Sequence, residues 1–325
     1  MKVLVIRFSS IGDIVLTTPV IRRLKTQLDV ELHFLTKKSF ESVIQHNPYI
    51  DKLHLMEGEI DGLIDNLKSE NYDFIIDLHN NLRTARLKRK LGVPSAAFPK
   101  YNIEKWLYVN FKINRMPDVH IVDRYMEAAK SLGISDDGKG LDYFISNDDR
   151  NAASDIPFQS PYIGLVIGGN HPGKMLPIEK LEEFCGKVDI PVVIFGGPED
   201  RERGEYLESQ FVDRVWNSAG KYKLNESVAL LDTCEVVVTH DTGLMHIAAA
   251  LHKKVISIWG ATVPEFGMYP YRPQESIIIE PHNVWDRPYS KLGDNKWYKP
   301  NFKGMYRVSV NEIIASVKRL VNSKA

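Results

Sequence analysis

Short apolar runs alternate with amphipathic runs along most of the chain. "KVLVIRF" opens it as a β-rich run, and "GDIVLTTPVIRRLKTQL" follows with apolar residues at helical spacing and Pro19 about two turns in. The same order repeats as far as "YDFIIDL" and the basic helix "NLRTARLKRKLG", which predicts a helix end at Gly92. Strands alternating with helices indicate βαβ units and a doubly wound parallel sheet.

A second alternation follows a polar stretch. "SDDGKGLDYFISNDDRNAASDIPFQSP" is rich in Asp, Asn, Ser, Gly and Pro and loses the periodicity, which places a domain boundary there. "YIGLVIGG" restarts the strands, and "SVNEIIASVKRLV" closes the chain as an amphipathic helix. The pattern predicts two α/β domains, residues 1–155 and 156–325, with a cleft between them and a final helix free to pack back on the first.

Composition narrows the class of protein. The 325 residues are 43% hydrophobic, and Lys plus Arg balance Asp plus Glu at 42 each, which argues against a nucleic-acid binder. Two distant cysteines, Cys185 and Cys234, indicate reduced thiols in a reducing compartment. With no apolar run near about 20 residues and too short a run for a signal peptide, we expect a cytoplasmic protein, soluble or peripherally attached to a membrane.

The loops that follow strands are the places to look for chemistry, because ligands of open α/β sheets bind at the carboxyl ends of the strands. Four such loops precede helices: "FSSIGD", "GGNHPGKMLP", "GGPED" and "HDTGLMH". In the last, the amides of Thr242, Gly243 and Leu244 begin a helix and form a ready anion site, with phosphate the usual occupant. The alternative is an ordinary helix cap, with Asp241 or Thr242 capping and His246 packed.

The other loops carry single charged candidates. Lys174 lies in a glycine-containing loop where a lysine can neutralise a phosphate, although the spacing is not that of a Walker loop; the alternative is a solvated lysine. Glu199 and Asp200 either bind a ribose hydroxyl pair or complement the dipole of a helix start. Asp13 is stabilised as an anion at a helix start, and it is either structural or an available general base.

The basic run of the first domain has two interpretations. Such a run is usually a solvated helix face. Its alternative role is to meet an anionic ligand or an anionic membrane surface. Arg83, nearest the strand end, is the best candidate; the run consists of Arg83, Arg86, Lys88, Arg89 and Lys90.

Two stretches, "VLVIRFSSIGDIVLTTPVIRRL" and "HDTGLMHIAAAL", are similar to motifs of the heptosyltransferases of lipopolysaccharide core synthesis, glycosyltransferase family nine. The resemblance covers essentially the whole chain. It implies the GT-B fold, in which two Rossmann-like domains face each other. It also implies a lipid-linked core oligosaccharide acceptor in the first domain, an ADP-heptose donor in the second, and a place peripheral to the inner face of the inner membrane.

The resemblance also implies roles for individual residues. Asp13 matches the catalytic acid that takes the proton from the acceptor hydroxyl, in a single displacement that inverts the anomeric centre. The acceptor candidates are Ser9, Ser10 and Gly12, together with Arg83, chosen from the basic run as the residue to meet the phosphates and acidic sugars of the acceptor. The donor candidates are Lys174, Glu199, Asp241, Thr242, Gly243, Leu244 and His246.

No metal or cofactor is expected besides the donor. The chain has no Asp-x-Asp pair of the kind that metal-dependent sugar transferases use. A metal site of His240, Asp241 and His246 is disfavoured because no carboxylate cluster accompanies it. A dehydrogenase is disfavoured because the glycine fingerprint of dinucleotide sites is missing. A transferase using another nucleotide sugar, or a non-catalytic sugar-nucleotide-binding protein, remains the alternative.

The sequence departs from the family at two places. "GGNHPGKMLP" lacks the Arg-Trp-Pro that often follows the lysine, which leaves the local donor contacts open. The segment "NVWDRPYSKLGDNKWYKPNFKGM" resembles one that carries cysteines in many relatives, and here Asp286, Tyr289, Trp297 and Gly304 stand in their place. Its aromatic residues, among them Trp285 and Tyr298, either pack the segment or stack on a sugar or adenine, and packing is favoured.

Overall fold

The structure, a computed structural model, describes residues 1–293 and 304–323. The strands are β1 (Lys2–Ile6), β2 (Glu31–Lys37), β3 (Lys52–Met56), β4 (Phe74–Asp77), β5 (Ser95–Ala97), β6 (Ile163–Val166), β7 (Val192–Phe195), β8 (Val215–Asn217), β9 (Val236–His240), β10 (Lys254–Ile258) and β11 (Glu275–Ile279). The α-helices are α1 (Ile11–Val15), α2 (Thr18–Gln27), α3 (Glu41–Ile44), α4 (Ile64–Ser69), α5 (Leu82–Leu91), α6 (Asn102–Phe111), α7 (Ile121–Glu127), α8 (Asn147–Arg150), α9 (Ile178–Lys187), α10 (Arg201–Gln210), α11 (Leu224–Asp232), α12 (Gly243–Ala250) and α13 (Val310–Asn322).

The chain divides into two compact units. The first contains Met1–Lys100 and Val119–Phe144, and the second contains Tyr101–Asp118 and Ile145–Ala325. Relative to the expected boundary, residues 101–118 and 145–155 group with the second unit. The reason is side-chain contact: the Tyr108 ring meets the Phe266 ring at 6.0 Å, and the Tyr222 hydroxyl donates to Asp155 at 2.8 Å.

Each unit is built on a parallel sheet, as the alternating pattern predicts. The strand order is β3-β2-β1-β4-β5 in the first unit and β11-β10-β9-β6-β7-β8 in the second. Strands β6, β7, β9 and β10 are buried over their whole length, which explains their continuous apolar sequences: both faces of a parallel sheet are covered. All pairings are parallel; in the first sheet, for example, Val5 lies between Phe34 and Ile76.

Local chemistry sets several element ends. The predicted long helix after β1 is two helices, because Pro19 occupies the first turn of α2, where its missing N–H costs nothing. Helix α5 ends at Gly92, as predicted: its φ of 68° is left-handed, and its amide donates to the Lys88 carbonyl.

The final helix α13 lies within the second unit. Its apolar face, which includes Ile313 and Val317, joins the core formed by β9, β10 and β11. The position against the first domain stays a prediction. No helix within residues 1–293 and 304–323 has the length and apolar character that a membrane span requires.

Candidate functional site

The first candidate site lies at the carboxyl end of β1. The loop after this strand leads into α1, and Ser10 precedes the helix. Asp13 in the first turn accepts from the Ser10 hydroxyl at 2.9 Å and from the Ser10 amide at 3.2 Å. Its other carboxylate oxygen lies 2.6 Å from the Arg7 guanidinium. The loop therefore positions one partly exposed carboxylate by two of its own residues.

Arg7 is the residue on which this arrangement depends. Its side chain is buried, and its remaining nitrogens donate to the carbonyls of Ser9 and Leu78. Burial is the largest single influence and would lower its pKa, but the charge and hydrogen bond of Asp13, together with Tyr125 and Asp77, outweigh burial, and the pKa of Arg7 is raised. Arg7 therefore stays protonated at all ordinary pH values and favours the ionised form of Asp13.

A second loop reaches the same sheet edge, because β4 pairs with β1. His79 follows β4, and its ring lies 4.9 Å from the ring of Phe8 in the first loop. Burial, followed by the charge of Arg7, lowers the pKa of His79 to about 4. At neutral pH this histidine is therefore an uncharged neighbour of the Asp13 loop.

The basic run on α5 is partly neutralised by acids of its own unit. Arg86 and Lys90 pair with Asp61 at 2.6 and 3.0 Å, and Lys88 lies 2.8 Å from Asp77. Arg83 is exposed in the first turn of the helix. The structure thus supports the solvated-face interpretation for most of the run, and a role for Arg83 stays a prediction.

The second candidate site joins three loops of the second sheet. Lys174, in the loop after β6, places its ammonium 2.6 Å from the carboxylate of Asp241, which follows β9. The hydroxyl of Thr262, after β10, donates to the same carboxylate oxygen at 2.9 Å. These strands are neighbours in the order β10-β9-β6, so parallel pairing brings their carboxyl ends together.

The start of α12 lies beside this ion pair. Thr242 is the residue before the helix, and its side chain caps no helix amide. Thr242, Gly243 and Leu244 are partly exposed, so the first amides of the helix can meet a ligand. His246, in contrast, is 3% exposed, and its role toward a donor stays a prediction.

The glycines of the neighbouring loops make room for acids. A Cβ on Gly168 would lie 2.0 Å from the carboxylate of Asp200, and one on Gly197 would lie 2.5 Å from that of Glu199. Asp200 is buried and accepts a hydrogen bond from the Gly197 amide at 3.0 Å, so it stabilises the loop itself. Glu199 is exposed, so of the two acids it is the one available to a ligand.

The structure also argues against a metal site made of His240, Asp241 and His246. Asp241 is paired with Lys174, and His240 accepts the Leu176 amide at 3.0 Å. Within the described part of the chain, one trio has metal-binding groups close together: His33, His54 and Glu70. Its carboxylate is already paired with Lys2 and Lys52, and the Lys52 contact leads in lowering the pKa of Glu70 to about 2. A divalent cation would have to displace these two cations.

Some residues of the site were predicted from the sequence and others were not. Of the predicted ones, Ser9, Ser10, Gly12 and Asp13 lie together at the start of α1, and Lys174 contacts Asp241. Arg7, His79 and Thr262 were not predicted. A single arginine at the end of an otherwise apolar strand was the available signal for Arg7.

The aromatic segment is described only in part. Trp285 is 90% exposed, whereas Tyr289 is half-buried, donates to Asp286 and lies 5.9 Å from the Lys112 ammonium. Trp297 and Tyr298 lie outside the described residues. Packing therefore describes Tyr289, and the sugar or adenine contact stays a prediction.

Comparison with known proteins places this chain among sugar transferases. A family model described as glycosyltransferase family 9 (heptosyltransferase) matches residues 61–291. The chain is 22% identical over 357 residues to lipopolysaccharide heptosyltransferase 1 of Campylobacter coli, across 100% of this chain and 92% of that protein. It is 24% identical over 294 residues to lipopolysaccharide heptosyltransferase 2 of Escherichia coli K12, and the match covers 82% of this chain and 84% of that protein.

A solved structure shows the same fold. The glycosyl transferase family 9 protein of Veillonella parvula superposes with a TM-score of 0.79 at 23% identity, across 98% of this chain and 97% of that one.

The buried His240 predicts a pH dependence of folding. Burial is the main cause that lowers its pKa to about 4. As the pH falls, the histidine of the unfolded chain is therefore protonated at a higher pH than that of the folded chain. Stability should be intact above about pH 6.5 and fall as the pH drops toward 4, by at most about 1.4 kcal/mol per pH unit for one histidine. We expect His240→Gln to lessen this slope in urea unfolding measured from pH 7 to pH 4.5.

The exposed His46 provides the control. His46→Gln should keep the wild-type slope. An unchanged slope in His240→Gln would contradict the neutral, buried state of His240.

Proposed function

The chain belongs to glycosyltransferase family 9 (heptosyltransferase), and on that premise we propose which sugar it moves and which residues carry out the transfer. As predicted, its parallel-sheet α/β units have the GT-B fold of heptosyltransferase structures. The donor is a heptose linked to ADP, and the acceptor is a lipid-linked core oligosaccharide of lipopolysaccharide. The enzyme works at the inner face of the inner membrane, bound peripherally.

The observation that carries the proposal is the ion pair of Lys174 with Asp241 beside the open start of α12. An ammonium has three donors, so one ion pair leaves two for phosphate oxygens. The amides of Thr242, Gly243 and Leu244 add donors and the positive end of the helix dipole. A nucleoside diphosphate is a leaving group that needs hydrogen-bond donors and positive charge, because negative charge develops on it as the bond to the sugar breaks.

Asp241 then has a positioning role. Its carboxylate is held by Lys174 and by the Thr262 hydroxyl, so it orients the lysine toward the phosphates. Glu199, exposed in the next loop, is the candidate for the donor ribose.

Asp13 is the proposed base of the first unit. Its carboxylate takes the proton of an acceptor hydroxyl while that oxygen attacks the anomeric carbon of the donor. The bond from this carbon to the diphosphate breaks, ADP leaves with the electron pair, and the anomeric configuration inverts. Ser10 and Arg7 hold the carboxylate, and Ser9, Gly12 and Arg83 are the proposed acceptor neighbours.

Replacement of Asp13 tests the base. We expect Asp13→Asn to lower kcat by roughly a hundredfold or more, because proton transfer by a positioned base typically contributes that much. ADP affinity should stay as in the wild type, since Asp13 belongs to the other unit. Asp65→Asn, on exposed α4 surface, is the matched control. A variant that retains more than about a tenth of the wild-type kcat would remove Asp13 from this role.

Replacement of Lys174 tests the donor site. We expect Lys174→Gln to weaken ADP binding about tenfold or more in calorimetry, because a hydrogen bond to a charged group contributes roughly 1.5–3 kcal/mol. Lys187→Gln, which removes a lysine paired with Glu183 at 2.7 Å on α9, should leave ADP affinity unchanged. Titration of the wild type with UDP and GDP as well as ADP identifies the nucleobase of the donor. Selective binding of either would keep the transferase and discard ADP-heptose.

The proposed reaction needs no metal. Lys174 and the α12 amides supply the positive charge that a metal ion supplies in other transferases. We therefore expect the full transfer rate in EDTA. A loss of rate that magnesium or manganese restores would show that a metal takes part.

A further inference from the structure

Helix α6 exposes apolar side chains instead of burying them. None of its residues, Asn102 to Phe111, is buried. Ile103 is 72% exposed, Trp106 55% and Phe111 58%, and Ile113 beyond the helix end is 47% exposed. Ile103 and Trp106 are three residues apart and share a face, and the Trp106 and Phe111 rings lie 5.2 Å apart. An exposed apolar patch of this kind marks an interaction site.

The helix is attached to its unit by its other side. The Lys112 ammonium donates to the Pro288 carbonyl at 2.7 Å, and the Tyr108 ring meets the Phe266 ring at 6.0 Å. The Lys291 ammonium donates to Asn102 at 3.0 Å. The apolar side chains are therefore presented from a fixed helix and do not belong to a loose segment.

Charge indicates what covers the patch. Residues 102–115 carry three basic residues, Lys105, Lys112 and Arg115, and one acidic residue, Glu104, whereas the whole chain is balanced. Of the three, Lys112 serves the attachment, and Lys105 and Arg115 remain beside the patch. Exposed tryptophan and phenylalanine among basic residues are typical of helices that lie in the headgroup layer of an anionic membrane. A second copy of the chain would bring the same positive charges face to face, whereas anionic lipid complements them.

We propose that residues 102–115, helix α6 with the basic turn after it, form a membrane-docking surface for anionic lipid. Ile103, Trp106 and Phe111 enter the boundary between headgroups and acyl chains, and Arg115 meets lipid phosphates. The inference deepens the proposed function and rests on it for the lipid-linked acceptor. It assigns to one surface the peripheral attachment that this acceptor requires.

Vesicle sedimentation tests the surface without donor or acceptor. Wild-type protein should bind vesicles of phosphatidylethanolamine with phosphatidylglycerol and bind phosphatidylcholine vesicles weakly. We expect Ile103→Ser/Trp106→Ser to lower the partition coefficient roughly tenfold or more, because the two side chains lose apolar burial. Arg115→Glu should weaken binding to the anionic vesicles and leave binding to phosphatidylcholine unchanged.

A matched control separates this surface from exposed apolar area in general. Tyr206→Ser/Val212→Ser removes two residues of the same unit that are 45% and 69% exposed, and it should sediment like the wild type. Equal sedimentation of the α6 variant and the wild type would overturn the proposal. A lipid-independent dimer that the α6 variant abolishes would overturn it too, because the patch would then be a self-association surface.

A transfer assay with a water-soluble acceptor lacking lipid separates this proposal from the proposed function. The α6 variant should keep the wild-type rate there, because the patch meets lipid and not sugar. If neither the wild type nor the α6 variant transfers sugar, while vesicle binding still depends on α6, the proposed reaction is overturned and the docking surface is retained.

Discussion

The burial of parallel strands on both faces is the constraint on which the rest of the molecule depends. Strands such as β9 and β10 have no exposed face, so nearly every position along them must be apolar or internally satisfied. Charged groups that serve a ligand are thereby confined to the loops at the strand ends. Because neighbouring strands run in the same direction, these loops meet at one edge of each sheet. Asp241 directly follows such a strand, and Asp13 lies in the first turn of the helix after β1.

At these edges two of the candidate charges are each held by an opposite one. Asp13 is placed against Arg7, and Lys174 against Asp241. A charge near a low-dielectric core is costly unless it is paired, so each pair offsets this cost and fixes the direction of both side chains. The loops are also close-packed. Gly168 and Gly197 leave the volume that the carboxylates of Asp200 and Glu199 occupy.

Helix α6 reverses the usual distribution of apolar residues, because its large apolar side chains face solvent. It lies between two segments of the first unit yet belongs to the second, to which Tyr108 and Lys112 attach it. One side of the helix is used for attachment, and the other leaves Ile103, Trp106 and Phe111 exposed within the described part of the chain. The sequence of this helix alone does not reveal which side is exposed, since both carry large apolar residues.

The sequence by itself determined the two parallel-sheet units, the loops that carry the candidate residues and the helix starts beside them. Those features follow from local periodicity and from glycine, proline and capping residues, which act over a few positions. Only the tertiary structure decided that residues 101–118 join the second unit, that Arg7 holds Asp13, and that Asp241 faces Lys174 and Thr262. These contacts join residues far apart in the chain or depend on side-chain direction, and a pattern of neighbours carries no information about either. The structure also decided the fate of individual polar residues. Burial made His246 and Asp200 interior groups and left Glu199 exposed, because the depth of a loop residue is set by the packing of neighbouring loops.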